Sequence, residues 1–266
     1  MNTRSLLLPL AILACSAHSS EPAAPARVSP QEPAQADRLQ RLAAISVALN
    51  KGDYATALPL VRAGAESGDP DEEETLGLMY DNGEGVPKDP NEALHWLAKA
   101  AEKGKVVSAR VAGSILVTQR RASEALYYYK EAATEGDAES QAVIGLAWLN
   151  GDASLPKDYR MARVYLEPAA AKGNALAQYS LSKMYIEGDG LPRDPVKGNQ
   201  LLQACATTGY AACEYEWGQT LATGYGGVPL DMVQARRWFS KAAVDGDLRG
   251  AGRVQAIDNG LAMGRR

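Results

Sequence analysis

Leu76-Gly77-Leu78-Met79-Tyr80, then Gly83-Glu84-Gly85-Val86-Pro87-Lys88-Asp89, then Ala93-Leu94-His95-Trp96-Leu97-Ala98-Lys99-Ala100-Ala101, closing at Gly104, form a unit that occurs five times along the 266 residues. The closing glycines are Gly68, Gly104, Gly136, Gly173, Gly209 and Gly246, at steps of 36, 32, 37, 36 and 37 residues. A fixed period of this size marks a solenoid, in which each unit buries its apolar face only against its neighbours.

Within a unit, Leu76 and Tyr80 lie four apart on one face of a first helix. Gly77, Gly113, Gly145 and Gly218 each follow that core position. Glycine inside a helix costs about 1 kcal/mol, so its return at one place predicts a close helix–helix approach where a Cβ would clash. Small residues recur on the second helix at Ala100-Ala101, Ala132-Ala133, Ala169-Ala170 and Ala242-Ala243. Trp96, Tyr128, Tyr165, Leu201 and Trp238 share one position and are expected to fill the space the small residues leave. Four inter-helix loops end in Pro-x-Asp, at Asp89, Asp158, Asp194 and Asp231. An Asp there accepts from orphan N–H groups as an N-cap, and Pro90 and Pro195 follow at the favoured first helical position. Asp89 with Glu92, and Asp231 with Gln234, have the spacing of a capping box. These acids are expected to cap helices, not to catalyse.

These motifs resemble the Sel1-like repeat family, relatives of tetratricopeptide repeats. The resemblance covers residues 69–246 in five copies, 69–104, 105–136, 137–173, 174–209 and 210–246. Copy two is degenerate, with an inter-helix loop about four residues short. The resemblance implies an all-α, right-handed α/α superhelical solenoid of roughly twelve helices. Its concave face, built mainly from first helices, would hold a protein or peptide partner. Residues 37–68 are expected to form an opening helical pair and 247–266 an exit cap.

The N-terminus has the look of a targeting segment. Residues 1–14 carry one positive charge and a short apolar core. Ile12-Leu13-Ala14-Cys15 resembles a bacterial lipobox, in which Cys15 is acylated after cleavage; ordinary cleavage after Ala17 is the alternative. Residues 15–36, with Pro22, Pro25, Pro30 and Pro33, read as a disordered tether. The chain is therefore expected to be exported, either as a lipoprotein on the periplasmic face of the outer membrane or as a soluble periplasmic or secreted protein. Cys205 ends a second helix and Cys213 begins the next first helix. The short antiparallel turn between them brings their Cβ atoms within reach, and the cysteine-rich branch of Sel1-like proteins carries disulfides at this spacing. Two buried free thiols remain the alternative.

Chemistry is sparse. Two histidines, His18 and His95, support no metal site or triad, so no metal, cofactor or catalytic residue is expected. Ser180-x-x-Lys183 and Ser154-x-x-Lys157 match the Ser-x-x-Lys spacing of penicillin-interacting enzymes, but in unlike contexts and without companion motifs. With 28 basic and 32 acidic residues and no basic stripe, nucleic acid is excluded as a partner. Asp71-Glu72-Glu73-Glu74 suits the start of a helix, or else offers an acidic patch to a basic partner. His95, Tyr127, Arg120 and Arg121 are the candidate partner-binding residues, the two arginines because copy two's short loop exposes them. The function expected is a protein-interaction scaffold of the bacterial envelope. The alternative is an envelope enzyme or a peptidoglycan- or β-lactam-binding protein of the cysteine-rich Sel1-like type.

Overall fold

The computed structural model describes the backbone of residues 31–152 and 155–263 and the side chains of 35–152 and 155–260. The signal segment 1–14, Cys15, Ser154 and the tether as far as residue 30 lie outside the described residues. The chain divides into two units, 1–44 and 45–266; the described part of the first is the N-terminal portion of one helix.

Thirteen α-helices and no strand occur among the described residues. The entry pair is α1 (Gln31–Asn50) and α2 (Tyr54–Glu66). The five copies follow as α3 (Pro70–Asn82) with α4 (Pro90–Glu102), α5 (Val106–Thr118) with α6 (Ala122–Thr134), α7 (Ala138–Asn150) with α8 (Tyr159–Ala171), α9 (Ala175–Glu187) with α10 (Pro195–Ala206), and α11 (Ala211–Thr223) with α12 (Met232–Val244). The last helix is α13 (Arg249–Met263). In each of the five copies the first helix packs on its own second helix, and α2 and each second helix pack on the next helix in the chain, making an α-solenoid. Residues 31–36, expected in the tether, belong to α1. Pro33 falls in its first turn, where no backbone donor is needed.

The repeated glycine closes each helix pair. A Cβ on Gly77 would stand 2.6 Å from Leu97 Cγ, and one on Gly145 2.6 Å from Leu166 Cγ; Gly113 faces Tyr129 and Gly218 faces Phe239. Copy four reverses the arrangement. Ser182 holds the glycine's place, and Gly198 on α10 provides the close approach, with its absent Cβ 2.6 Å from Ile186 Cγ1.

The residue that enters this space is not the one expected. Leu97, Tyr129, Leu166, Leu202 and Phe239 are buried there, whereas Trp96, Tyr128, Tyr165, Leu201 and Trp238 are only half-buried. One residue turns a helix by about 100°, so the second set points back along the solenoid. Trp96 packs on the cluster holding Val61 and Ala65, Tyr128 on that holding Ala93, Tyr165 on that of Leu116, Leu201 on that of Leu166, and Trp238 on that of Leu202. The aromatic position bridges a unit to the one before it.

Loop closure uses both halves of the capping aspartate. Asp89 Oδ1 accepts from the N–H groups of Asn91 and Glu92, Asp158 from Arg160 and Met161, Asp194 from Lys197, and Asp231 from Gln234. Their own N–H groups donate to the carbonyls of Tyr80, Trp148, Tyr185 and Leu221 at 2.8–3.0 Å. That donor is therefore occupied, and the reciprocal half of a capping box does not form at Glu92 or Gln234. Copy two has three loop residues, 119–121, yet Arg121 N–H still donates to Leu116 O at 2.9 Å. Four of the five loops also seat on the unit before them: Gly85 against Tyr54, Gly190 against Tyr159, Gly226 against Pro195, and Gln119 bonded to Asn91. The closing glycines adopt φ between 82° and 112°, the left-handed region that ends helices.

The pairs Ala100/Ser108, Ala132/Ser140, Ala169/Ala177 and Ala242/Gly250 stand across successive unit junctions, each eight residues apart and buried. Cys205 and Cys213 hold the same two positions and are bonded, Cα–Cα 5.7 Å. Gly64 and Glu72 hold them at the entry, where the missing Cβ makes room for the carboxylate.

Two outcomes follow from this packing. Gly145→Ala should destabilise by about 1–3 kcal/mol through overpacking, whereas Gly252→Ala, with open space around its Cβ, should stabilise by about 0.5–1 kcal/mol; urea denaturation of both variants reads the difference. Ala169→Cys/Ala177→Cys should form a second disulfide in exported protein, seen as a mass free of alkylation without reductant. Two alkylated thiols at those positions would show that the junctions are not equivalent.

Candidate protein-binding face

Among the described residues, the first helices of neighbouring copies touch directly, α3 with α5 and α7 with α9. The outward positions of the first helices form the candidate face. It carries a cavity of about 360 Å³ between α7 and α9, with an apolar floor of Leu146, Leu149, Leu176 and Met184. A second cavity of about 490 Å³ lies between α9 and α11, lined by Ile186, Gln219, Thr220 and Thr223. Tyr179, Lys183 and Glu187 border both.

Tyrosines wall these cavities. Tyr179 and Tyr210 meet edge to face with centroids 6.0 Å apart, and Tyr225 receives a 2.7 Å hydrogen bond from Arg193 Nη2. Burial, followed by the nearby Glu216 carboxylate, pushes the Tyr179 hydroxyl above its usual value, so it stays a neutral donor. Tyr210 lies inside the loop closed by Cys205 and Cys213, and the disulfide thus anchors one wall. The charges at the rim have partners within the chain: Lys183 stands 3.9 Å from Glu187, and Glu216 stands 3.5 Å from Arg249.

The residues singled out from sequence lie elsewhere. His95 and Tyr127 occupy the same place on α4 and α6, exposed and edge-on to Trp96 and Tyr128; Tyr127 is 57% accessible. Both belong to second helices. Arg120 is exposed in the α5–α6 loop at φ 61°. Arg121 is not a free charge, since it grips Glu124 through two hydrogen bonds of 2.6 and 2.7 Å. No hydrogen bond or ring contact joins these residues into one site among the described residues. The four capping aspartates stand at helix starts, and the bonded cysteines at a junction. Tyr179, Leu146 and Gln219 do not stand out in the sequence because their positions do not repeat in type, and Lys183 stands out only by its spacing from Ser180. Leu78, Ser114, Leu146, Lys183 and Gln219 share one register, ten residues after the closing glycine, and that variability was the available signal.

The acidic run is not a patch for a basic partner. Glu72 and Glu73 are buried. Lys103 Nζ bonds Glu73 at 2.6 Å and also donates to Gly68 O at 2.9 Å. Lys105 bonds Asp71, and Ser108 Oγ donates to Glu74 at 2.7 Å. All four acids face the next unit's chain or the interior because α3 is followed closely by α4 and α5. At the register of Glu73, copies three and four carry Gln141 and Gln178, whose side-chain amides donate to Ala133 O and Ala170 O. Copy five returns to a buried carboxylate, Glu214, bonded to Lys241.

Ser180 is 4% accessible and its hydroxyl donates to Leu176 O at 2.8 Å; it lines the first cavity with Lys183. No group of three or more His, Cys, Asp or Glu arranged to hold a metal occurs among the described residues, and none of the described helices is long and apolar enough to cross a membrane.

By its fold the protein is a helical-repeat solenoid with a grooved first-helix face. The Sel1 repeat model matches residues 76–105, 120–137, 138–174, 175–207 and 211–247, more than half of the chain, and the chain belongs to the Sel1 repeat family. It is similar to the chitin synthase regulator SKT5 of Saccharomyces cerevisiae, 26% identical over 202 residues, 70% of this chain and 29% of that protein. It is also similar to the uncharacterized protein NMB1327 of Neisseria meningitidis serogroup B, 28% identical over 197 residues, 71% of this chain and 42% of that protein. The chain thus spans less than half the length of these relatives. Among solved structures, c5321, a protective antigen present in uropathogenic Escherichia coli strains and displaying an SLR fold, superposes with TM-score 0.75 at 30% identity, covering 87% of this chain and 52% of that one. A Sel1 repeat protein from Oxalobacter formigenes gives TM-score 0.70 at 24% identity, covering 84% and 98%, a likeness of fold. Sel1 repeat proteins are typically protein-interaction scaffolds and generally non-enzymatic.

The junction chemistry has a pH signature. Burial raises the Glu214 carboxyl above its ordinary value, outweighing the opposite pull of Lys241. A carboxyl whose folded value exceeds its unfolded one destabilises the fold progressively as pH rises through that window, and not below it. Glu214→Gln, the residue type of copies three and four, should therefore gain stability relative to wild type between about pH 4 and about pH 7. Urea midpoints at the two pH values test this; a relative loss over that range would contradict it.

Proposed function

We propose that this chain is a protein-binding scaffold of the bacterial cell envelope. In this reading, residues 1–14 export it, lipid on Cys15 holds it at the outer membrane, and the first-helix face engages its partner. The observation that carries the binding part is a division among residues. Most recurring positions are consumed by close helix approach, bridging between units, caps and loop seats, while the two cavities between α7, α9 and α11 are lined largely by positions that do not recur, Leu202 and Lys157 being exceptions. A surface that varies from copy to copy on an invariant frame is suited to recognise one specific ligand. The protective antigen among the similar structures supports an exported setting.

Photo-crosslinking amino acids placed at Asn150 and Thr223, on the first-helix face, and at Val164, exposed on second helix α8, test the reading in a Gram-negative host. Protein adducts should form from the first two positions and not from the third, and adducts from Val164 alone would overturn the assignment of the face. In the same host, wild type should sediment with outer membranes and Cys15→Ser should be soluble in the periplasm. Wild type already soluble would replace the lipid anchor with simple secretion.

A further inference from the structure

A third cavity, of about 330 Å³, is lined by residues of α11, α12 and α13. It lies at the small end of the range that ligand cavities occupy, about 300–1,000 Å³. Its floor is apolar: Ala222 on α11, Met232 and Phe239 on α12, and Ile257 on α13. Ala256 and Gly260 stand four apart on α13, on one face of the helix, where larger side chains would fill the space. Two polar side chains line the cavity, Gln219 and Arg253, and among the described residues no carboxylate does.

Arg253 is held in place without an acidic partner. Its Nε donates to the Tyr215 hydroxyl at 3.2 Å. Tyr215 is itself fixed, buried against Phe239 with the Arg249 guanidinium 4.0 Å over its ring. Among the described residues, neither Nη of Arg253 has a hydrogen bond or ion pair. The acids of the three helices are engaged by other cations: Glu214 by Lys241, Glu216 by Arg249 and Asp258 by Arg236. The sequence of α12 contains no acid. A guanidinium fixed through Nε presents its two Nη groups as a fork, which matches the two oxygens of a carboxylate. An apolar cavity with one such cation on its wall, in a chain of net charge −4, suits a ligand that carries one carboxylate beside one apolar group. The last residue of a polypeptide has this chemistry, since its carboxylate and its side chain leave the same Cα.

We propose, resting on the reading of the first-helix face as the binding face, that this cavity takes the C-terminal residue of the protein partner, and that this residue is apolar. Its side chain sits on Phe239 and Ile257, and its carboxylate meets Nη1 and Nη2 of Arg253. Gln219 borders both this cavity and the second, so the rest of the partner's chain runs back along the face towards α9.

Fluorescence anisotropy of the full chain with labelled, otherwise uncharged hexapeptides tests this. One peptide ends in phenylalanine as the free acid, one in phenylalanine as the amide, and one in serine as the free acid. The phenylalanine acid should bind about tenfold tighter than either of the others, because the amide lacks the charge-assisted pair and the serine peptide lacks the buried ring. Arg253→Gln should abolish the preference for acid over amide while binding the amide as wild type does, an outcome that loss of the Tyr215 bond alone would not produce. Ala256→Trp, at an exposed position lining the cavity, should abolish binding of both phenylalanine peptides with thermal unfolding unchanged. Arg237→Gln, exposed on α12, should bind as wild type. No binding, equal binding of acid and amide, or an acid preference that survives in Arg253→Gln would overturn the proposal. Calorimetric binding of dodecanoate without binding of the peptide acid would overturn it in favour of a free carboxylic acid. If crosslinks from Asn150 and Thr223 capture a protein when the peptides fail, the binding face stands and only the C-terminal pocket is lost; crosslinks from Val164 alone would remove the face itself.

Discussion

The approach of two helices over a missing Cβ is the constraint on which the rest of this structure depends. Leu97 over Gly77, Tyr129 over Gly113, Leu166 over Gly145 and Phe239 over Gly218 draw each pair together. At that distance the residue before the second helix reaches back to a carbonyl near the end of the first, and a short loop closes. The cost of glycine in a helix, about 1 kcal/mol, is offset by packing that larger residues would forbid. Copy four shows that the requirement is geometric and not tied to one position. The glycine moved to Gly198 on the partner helix, and the approach survived.

Pairs closed in this way still need joining, and the junctions are joined in different chemistries at equivalent positions. One register holds Glu73 with Lys103, the amides of Gln141 and Gln178, and Glu214 with Lys241. A second holds small side chains at most junctions and the Cys205–Cys213 bond at one. The backbone geometry tolerates these exchanges because the half-buried aromatics already hold each unit to its predecessor. The disulfide adds constraint where Tyr210 walls a cavity of the first-helix face, at the copy four–five junction.

Copy two illustrates how little of the motif the frame needs. It lacks the glycine-rich loop and the capping aspartate, and Arg121 caps α6 without a side-chain bond. It nevertheless keeps Gly113 against Tyr129, the return hydrogen bond from Arg121 to Leu116, and the seat of Gln119 on Asn91. Loss of loop length is tolerated because the closing bond runs to the same register of the first helix whether the donor lies five, nine or ten residues further along the chain.

The spacing of glycines, the Pro-x-Asp loop ends and the alternation of apolar stripes were enough to establish an all-helical solenoid and to place its caps, since each is a local requirement of helix ends and helix faces. Three things were decided only in three dimensions. Which of two adjacent large residues enters the glycine's space depends on a rotation of about 100° relative to a partner helix, which Trp96 and Leu97 cannot express in sequence. The acids at 71–74 read as suiting a helix start, and three of them stand in the first turn of α3, but that Lys103, Lys105 and Ser108 meet them is set only by the packing of α4 and α5. The two cavities are assembled largely from non-repeating residues of α7, α9 and α11, dozens of positions apart, and a period exposes what recurs, not what varies between copies.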